Sequence, residues 1–216
     1  MPLKAKGGVQ EVIPGNPHKD SEYLTRIKNA IAEMKHHPRH HGVKMQAHHL
    51  ISAEGVKRSG LKEYIKRFGY NINLLPNLVF IPCTLQGACY LGVQPHRGNH
   101  TYPIERPADQ DHYDDDMEPE GYHDLVGRMV RDVERKIEKE CPGAGKVKSQ
   151  QVISEMNKLS EHILKLIQFS PNKAPLTKLA KYYTQGNEVG CGNVDFVNMH
   201  RGQKCSSERV HRGKQA

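Results

Sequence analysis

A pair of long amphipathic stretches in the second half of the chain does most to constrain the fold. From Tyr122 to Glu140, the residues Val126, Met129, Val133 and Ile137 recur at helical spacing. From Ser149 to Phe169, the residues Ile153, Met156, Leu159, Ile163 and Ile167 do the same. That recurrence lines up apolar side chains along one stripe of a 3.6-residue helix. Cys141-Pro142-Gly143 lies between the two and ends the first. The chain has 216 residues, 36% of them hydrophobic, and no Trp. This suits one sizeable domain, or one with a small appendage, around a modest core with long polar stretches.

Upstream the pattern is shorter and more broken. Gly7, Gly8, Pro14, Gly15 and Pro17 make the start a flexible lead-in. A helix is predicted from Asp20 or Ser21, either of which can cap it, with Tyr23, Leu24, Ile27, Ile31 and Met34 on one face. It should stop around His36 to Pro38, because proline disfavours helical geometry in the residue before it. Lys44 to Ile51 reads as a strand, Lys57 to Phe68 as a helix stopped by Gly69, and Val79 to Ile81 as a second strand. Gly, Pro and small residues then dominate up to Pro95. Thr101 to Gly121 is an irregular acidic stretch containing Asp114, Asp115 and Asp116. A short helix is predicted from Pro175 through Leu176, Leu179 and Tyr183, followed from Gln185 by a Gly-rich basic tail. The expected organisation is a lead-in and helix over 1–43, a core over 44–143 with an acidic insertion at 101–121, helices over 144–184 and the tail over 185–216. The expected class is α+β, mainly helical, with a small core around the two strands surrounded by amphipathic helices.

Composition narrows the function classes. No apolar run is long enough to span a membrane, and residues 1–15 lack the apolar centre of a signal peptide. The chain is therefore expected to be cytoplasmic at synthesis, and to be secreted or delivered, if it is, without a cleavable signal. Five cysteines occur with no C-x-x-C, which argues against a cysteine zinc ribbon. With 32 Lys and Arg against 24 Asp and Glu, the net charge is +8, which attracts polyanions. The acidic 101–121 stretch lacks the spacing of a calcium loop and reads as a solvated segment. The tail, with Arg201, Lys204, Arg209, Arg212 and Lys214, suits a nucleic-acid backbone or a solubilising end equally.

The 14 histidines are where chemistry is to be sought. At that density roughly one His-His pair arises by chance, so a pair alone carries little. His36-His37-Pro38-Arg39-His40-His41 falls at a predicted helix end among Lys35 and Arg39, and reads as a solvated basic segment rather than a metal site. A second group comes in a functional order. His48-His49 end a predicted strand, Asn77 precedes a second strand, and Pro95-His96-Arg97-Gly98-Asn99-His100 follows. Strand, loop, strand and a two-histidine segment is the layout of a ββα-metal finger.

At these residues the chain resembles the AHH nucleases, a branch of the HNH and endonuclease VII superfamily with a treble-clef-like core. The resemblance rests on Ala47-His48-His49-Leu50-Ile51, Phe68-Gly69-Tyr70-Asn71-Ile72-Asn73, Asn77-Leu78-Val79-Phe80-Ile81-Pro82 and His96-Arg97-Gly98-Asn99-His100, and spans about Lys44 to Glu140. The family pattern ends in a histidine, a proline and a tyrosine that lead into a helix. Here Thr101-Tyr102-Pro103 follows His100, so Tyr102, Tyr113 and Tyr122 all compete for the tyrosine position.

The resemblance implies a metal-dependent endonuclease with one divalent ion held by His48, His96 and His100. Three imidazoles suit zinc, nickel and manganese and, less readily, magnesium. It further implies His49 as general base, since neighbours on a strand point to opposite sides and can do different work. Asn77 is expected to tie the loop that holds His49. Arg97, from its position between two ligands, is expected to contact the scissile phosphate. The implied partners are nucleic acid, DNA before RNA and with low sequence specificity, and a cognate immunity protein if the chain is an antibacterial toxin effector. A second class of function competes: a non-catalytic, metal-stabilised nucleic-acid-binding or interaction protein, which has no use for a histidine beside the ligand. A histidine-rich metal store is a third.

Overall fold

The computed structural model describes residues 15–96, 119–143, 147–177 and 180. Along the chain these form α1 (Tyr23–Ile31), β1 (Met45–His49), α2 (Ala53–Ser59), α3 (Lys62–Arg67), β2 (Leu78–Pro82), α4 (Leu85–Leu91), α5 (Pro119–Glu140) and α6 (Ser149–Phe169). Single 3-10 turns occur at Pro38–His41, Leu75–Asn77 and Pro171–Lys173. The fold is α+β and mainly helical. The lead-in before residue 15, residues 97–118 with most of the acidic insertion, and the basic tail lie outside the described residues.

β1 and β2 pair antiparallel, with Met45 opposite Pro82, Ala47 opposite Phe80 and His49 opposite Leu78. The period of two sorts their side chains. Leu78 and Phe80, with Met45 and Ala47, pack on Ile27 and Ile31 of α1. Ile81 and Val79 turn the other way, into the main core. That core is built on α5 and α6, through Tyr122, Val126, Val130 and Ile137 on one helix and Val152, Met156, Ile163 and Ile167 on the other. The small sheet thus lies between α1 on one face and the long helices on the other.

Several elements depart from the sequence expectation. α1 stops at Ile31, well short of Pro38. The His40 ring nitrogen Nε2 reaches the Ile31 carbonyl at 2.8 Å and His41 Nε2 reaches the Lys35 carbonyl at 2.8 Å, so imidazoles satisfy carbonyls that further helix would have used. The predicted 57–68 helix is two helices. Gly60 adopts φ +77° and ends α2, and Ser59 Oγ receives the Leu61 N–H as the chain turns. Thr84 caps α4 through the Gly87 N–H, and Gly92 at φ +64° ends it, where no helix was expected. α5 starts at Pro119, three residues early. Of the helix predicted from Pro175, only Pro175 to Thr177 and Ala180 lie among the described residues; Pro175 to Thr177 are not helical, and the backbone there bonds to a side chain. Gln94 Nε2 donates to the Ala174 carbonyl and Gln94 Oε1 accepts from Leu176 N–H.

α2 and α5 touch through glycine. A Cβ built on Gly55 would lie 2.5 Å from Val126 Cγ1, and one on Gly127 would lie 3.1 Å from the Gly55 carbonyl oxygen. Gly55→Ala gains about 0.5–1 kcal/mol of helix propensity but overpacks the contact by about 1–3 kcal/mol. A net loss of stability is expected in urea unfolding, and a stabilised variant would contradict this packing. The contact bears on function because α2 follows directly from β1 and α5 brings Tyr122 and His123 to the same place.

Candidate active site

The last two residues of β1 project to opposite faces of the sheet. His48 faces the α5 side and His49 the α1 side. Both are buried, at 4% and 9% exposure.

On the α5 side, His48 Nε2 lies 2.9 Å from the Tyr122 hydroxyl and His48 Nδ1 lies 3.1 Å from His96 Nε2. The Tyr122 hydroxyl donates its proton to the Leu50 carbonyl at 2.6 Å, and a carbonyl can only accept. Towards His48 the phenol oxygen is therefore the acceptor, so His48 Nε2 carries the proton. In the neutral ring Nδ1 is then bare, and it faces His96. Burial pushes the Tyr122 phenol well above its ordinary pKa, which keeps that proton in place. Burial also lowers His96, to about 4, so its ring is neutral at pH 7.

His96 is positioned by its own surroundings. Its N–H donates to the Pro82 carbonyl at 2.8 Å, extending the line of β2. Two residues earlier Gln94, fully buried, donates to the Ile167 and Ala174 carbonyls and accepts from Leu176 N–H. The segment is thereby anchored to the end of α6.

Two imidazole nitrogens on one tetrahedral ion, at about 2.0–2.1 Å each, stand about 3.3 Å apart. The His48–His96 separation of 3.1 Å is close to this, and the outer nitrogen of His48 is hydrogen-bonded as ligating histidines usually are. The pair can therefore hold a divalent cation. Among the described residues no third His, Cys, Asp or Glu completes a metal cluster. His100 and Arg97 lie outside the described residues, as do Tyr102 and Tyr113.

On the α1 side, His49 Nε2 meets Asn73 Oδ1 at 3.0 Å. The orientation of the Asn73 amide is forced. Its Nδ2 donates to the His18 carbonyl at 2.7 Å, and its Oδ1 receives the Asp20 N–H at 3.1 Å. Asn73 therefore presents an acceptor to His49, so Nε2 is the protonated nitrogen and Nδ1 the basic one. Burial, the largest influence, holds His49 below its ordinary pKa, so the neutral base form prevails at pH 7. The Tyr23 ring packs against the imidazole, with centroids 4.6 Å apart.

Asn77 holds the turn that follows β1. Its Oδ1 accepts from Ile51 N–H at 2.7 Å and from Ser160 Oγ at 2.9 Å, while Nδ2 donates to the Ile51 and Ile72 carbonyls at 2.9 and 2.8 Å. Its own carbonyl accepts the Leu50 N–H at 2.9 Å. One fully buried side chain thus joins the β1 end, the loop before β2, and α6.

The structure brings together His48 and His96, with His49 and Asn77 beside them. The sequence reading left Tyr122 as one of three competing tyrosines and gave no role to Asn73, Gln94, Ser52 or His123. Ser52 caps α2 through Gly55 N–H and pairs with His123 Nδ1 at 2.8 Å, fastening the start of α5 beside β1. A legible hint was the Tyr122-His123 pair at the head of the first long amphipathic stretch. Three histidines of the His36–His41 segment make structural bonds: His37 Nδ1 caps the 3-10 turn through Arg39 N–H, and His40 and His41 bind carbonyls.

An antiparallel hairpin ending in two buried histidines, an asparagine clamp behind it and a second histidine segment after the hairpin define an HNH-like nuclease fold. A family model described as a nuclease family of the HNH/ENDO VII superfamily with conserved AHH matches residues 28–163, and the chain belongs to this AHH family. The match reaches beyond the Lys44 to Glu140 span of the motifs, taking in part of α1 and most of α6. No curated protein and no solved structure matches the chain. Among the described residues no helix is long and apolar enough to cross a membrane.

Proposed function

We propose that this nuclease-family protein is a metal-dependent endonuclease that hydrolyses phosphodiester bonds, DNA in preference to RNA, with low sequence specificity. The observation that carries the reading is that the two histidines at the end of β1, both protonated at Nε2, face opposite sides of the sheet. His48 turns a bare Nδ1 towards His96, as a ligand requires, and His49 turns a bare Nδ1 to the other side, as a base requires.

His48 Nδ1, His96 Nε2 and a nitrogen of His100 would hold one divalent ion. When bound, that ion supplies charge neutralisation on the phosphate and help for the leaving oxygen. His49 Nδ1 takes the proton of the attacking water, and Asn73 Oδ1 stabilises the resulting imidazolium through its bond to Nε2–H. Tyr122 keeps the His48 ring oriented. Arg97 would pair with the scissile phosphate. An all-imidazole ligand set favours zinc, nickel or manganese over magnesium. An antibacterial effector role, with a cognate immunity protein as partner, is supported by the family resemblance alone.

The test is incubation of the purified protein with plasmid DNA and with RNA, with and without EDTA. Cleavage abolished by EDTA and restored by a divalent ion is expected, with DNA cut faster. Absence of cleavage with every divalent ion supplied would overturn the proposal in favour of a binding protein.

A further inference from the structure

We infer that the groove between α1, the Pro38–His41 turn and β1 is the track for a nucleic-acid backbone, with Lys19, Lys28 and Arg39 as its phosphate contacts. The inference rests on the nuclease reading and assigns the substrate-binding face of that same site. The groove encloses about 350 Å³, and its wall runs from these three cations past Tyr23 to Ala47 and His96. It therefore reaches the candidate site: His96 lines the groove itself, and Tyr23 on its wall packs on His49.

Two of the three cations rest on aromatic rings. Arg39 stacks over the buried Phe80 ring, its Cζ 4.6 Å from the centroid, and Lys19 Nζ lies 4.9 Å from the Tyr23 centroid. Among the described residues none of the three has an ion pair. The carboxylates of the same segment are already engaged, since Asp20 and Glu22 each bind Arg26 at 2.8 Å. Lys19 is also near enough for its charge to act on both His49 and His96. Three lysines elsewhere serve as paired references: Lys57 with Glu54, Lys66 with Glu63 and Lys165 with Glu161. A cationic wall with no carboxylate partner among the described residues, lined by His96 and adjoining His49, complements a polyphosphate backbone and reads no sequence.

The test uses the full chain carrying His49→Gln to silence cleavage, with the native chain in EDTA as a second silenced form. Binding to a labelled DNA duplex is measured by anisotropy across a salt series. Lys19→Gln, Lys28→Gln and Arg39→Gln together should flatten the slope of log affinity against log salt by about 2.7, at about 0.9 per lost phosphate contact on B-DNA. Lys57→Gln, Lys66→Gln and Lys165→Gln together remove equal charge and should leave the slope unchanged. Arg39→Lys should retain its share. An equal effect of both triple variants, or none from the groove triple, overturns the track. So does displacement of DNA by inorganic phosphate beyond the effect of chloride at matched ionic strength, or equally tight binding of poly-glutamate. Plasmid cleavage by the native chain is followed in parallel. Cleavage with a groove-independent slope sinks the track alone, whereas groove-dependent binding without cleavage sinks the nuclease reading alone.

Discussion

His49→Ala is expected to slow phosphodiester cleavage about 10²–10⁴-fold, the usual contribution of a positioned general base, while the protein keeps its bound metal. The two results separate the neighbours on β1. His48 and His49 are one residue apart but face different surroundings, so removing the His49 ring leaves the His48–His96 contact untouched. His48→Ala should instead lose metal and activity together. Asn73 refines the expectation. It touches His49 on the side away from the basic nitrogen and acts by holding the tautomer. Asn73→Ala should therefore lower kcat with little change in KM, by less than His49→Ala does. Metal analysis of the purified variants, together with cleavage rates, checks the assignment. Full cleavage by His49→Ala would remove it as the base, and loss of metal in that variant would make it a ligand.

Asn77→Ala should be among the most destabilising single substitutions in the chain, by about 3–5 kcal/mol. Alanine leaves the Ile51 N–H and the Ile51 and Ile72 carbonyls without their partner, in a place water does not reach. Each such buried orphan costs about 1–3 kcal/mol. Ser160 of α6 loses Asn77 as well, although its hydroxyl can turn to the Met156 carbonyl at 3.2 Å. Asn77→Asp tests the two halves of the amide separately: it keeps an acceptor for Ile51 N–H but replaces the donor with a buried charge. It should rescue little. The midpoint of urea unfolding reads the effect, and a loss below about 1 kcal/mol would show that the clamp contributes no more than an ordinary exposed contact.

Much of this architecture is written locally. The stripe from Ile153 to Ile167 is satisfied by one helix and no other element, so α6 occupies the residues that its periodicity predicts, Ser149–Phe169. Short elements were less legible. A seven-residue helix such as α4 has too few turns to show a period, and only its Thr84 cap and Gly92 stop mark it. The split of α2 from α3 turned on a single glycine in the left-handed region, and the end of α1 on imidazoles arriving from nine residues further on.

The same division holds for Ala47-His48-His49. That its two histidines serve different sides follows from the sequence, because alternation is built into the geometry of any strand. Which sides they serve does not. His48 acquires its tautomer from a tyrosine 74 residues away, and His49 acquires its own from an asparagine 24 residues away. Tyr122 was one of three tyrosines of equal standing until packing of α5 on α2, through Gly55 and Gly127, brought its hydroxyl to His48. Gln94 and the groove beside α1 are likewise products of distant segments meeting. A sequence determines what its residues can donate, accept or ligate and where local periodicity turns them, whereas the choice of partner depends on contacts between remote elements, which only the packed chain decides.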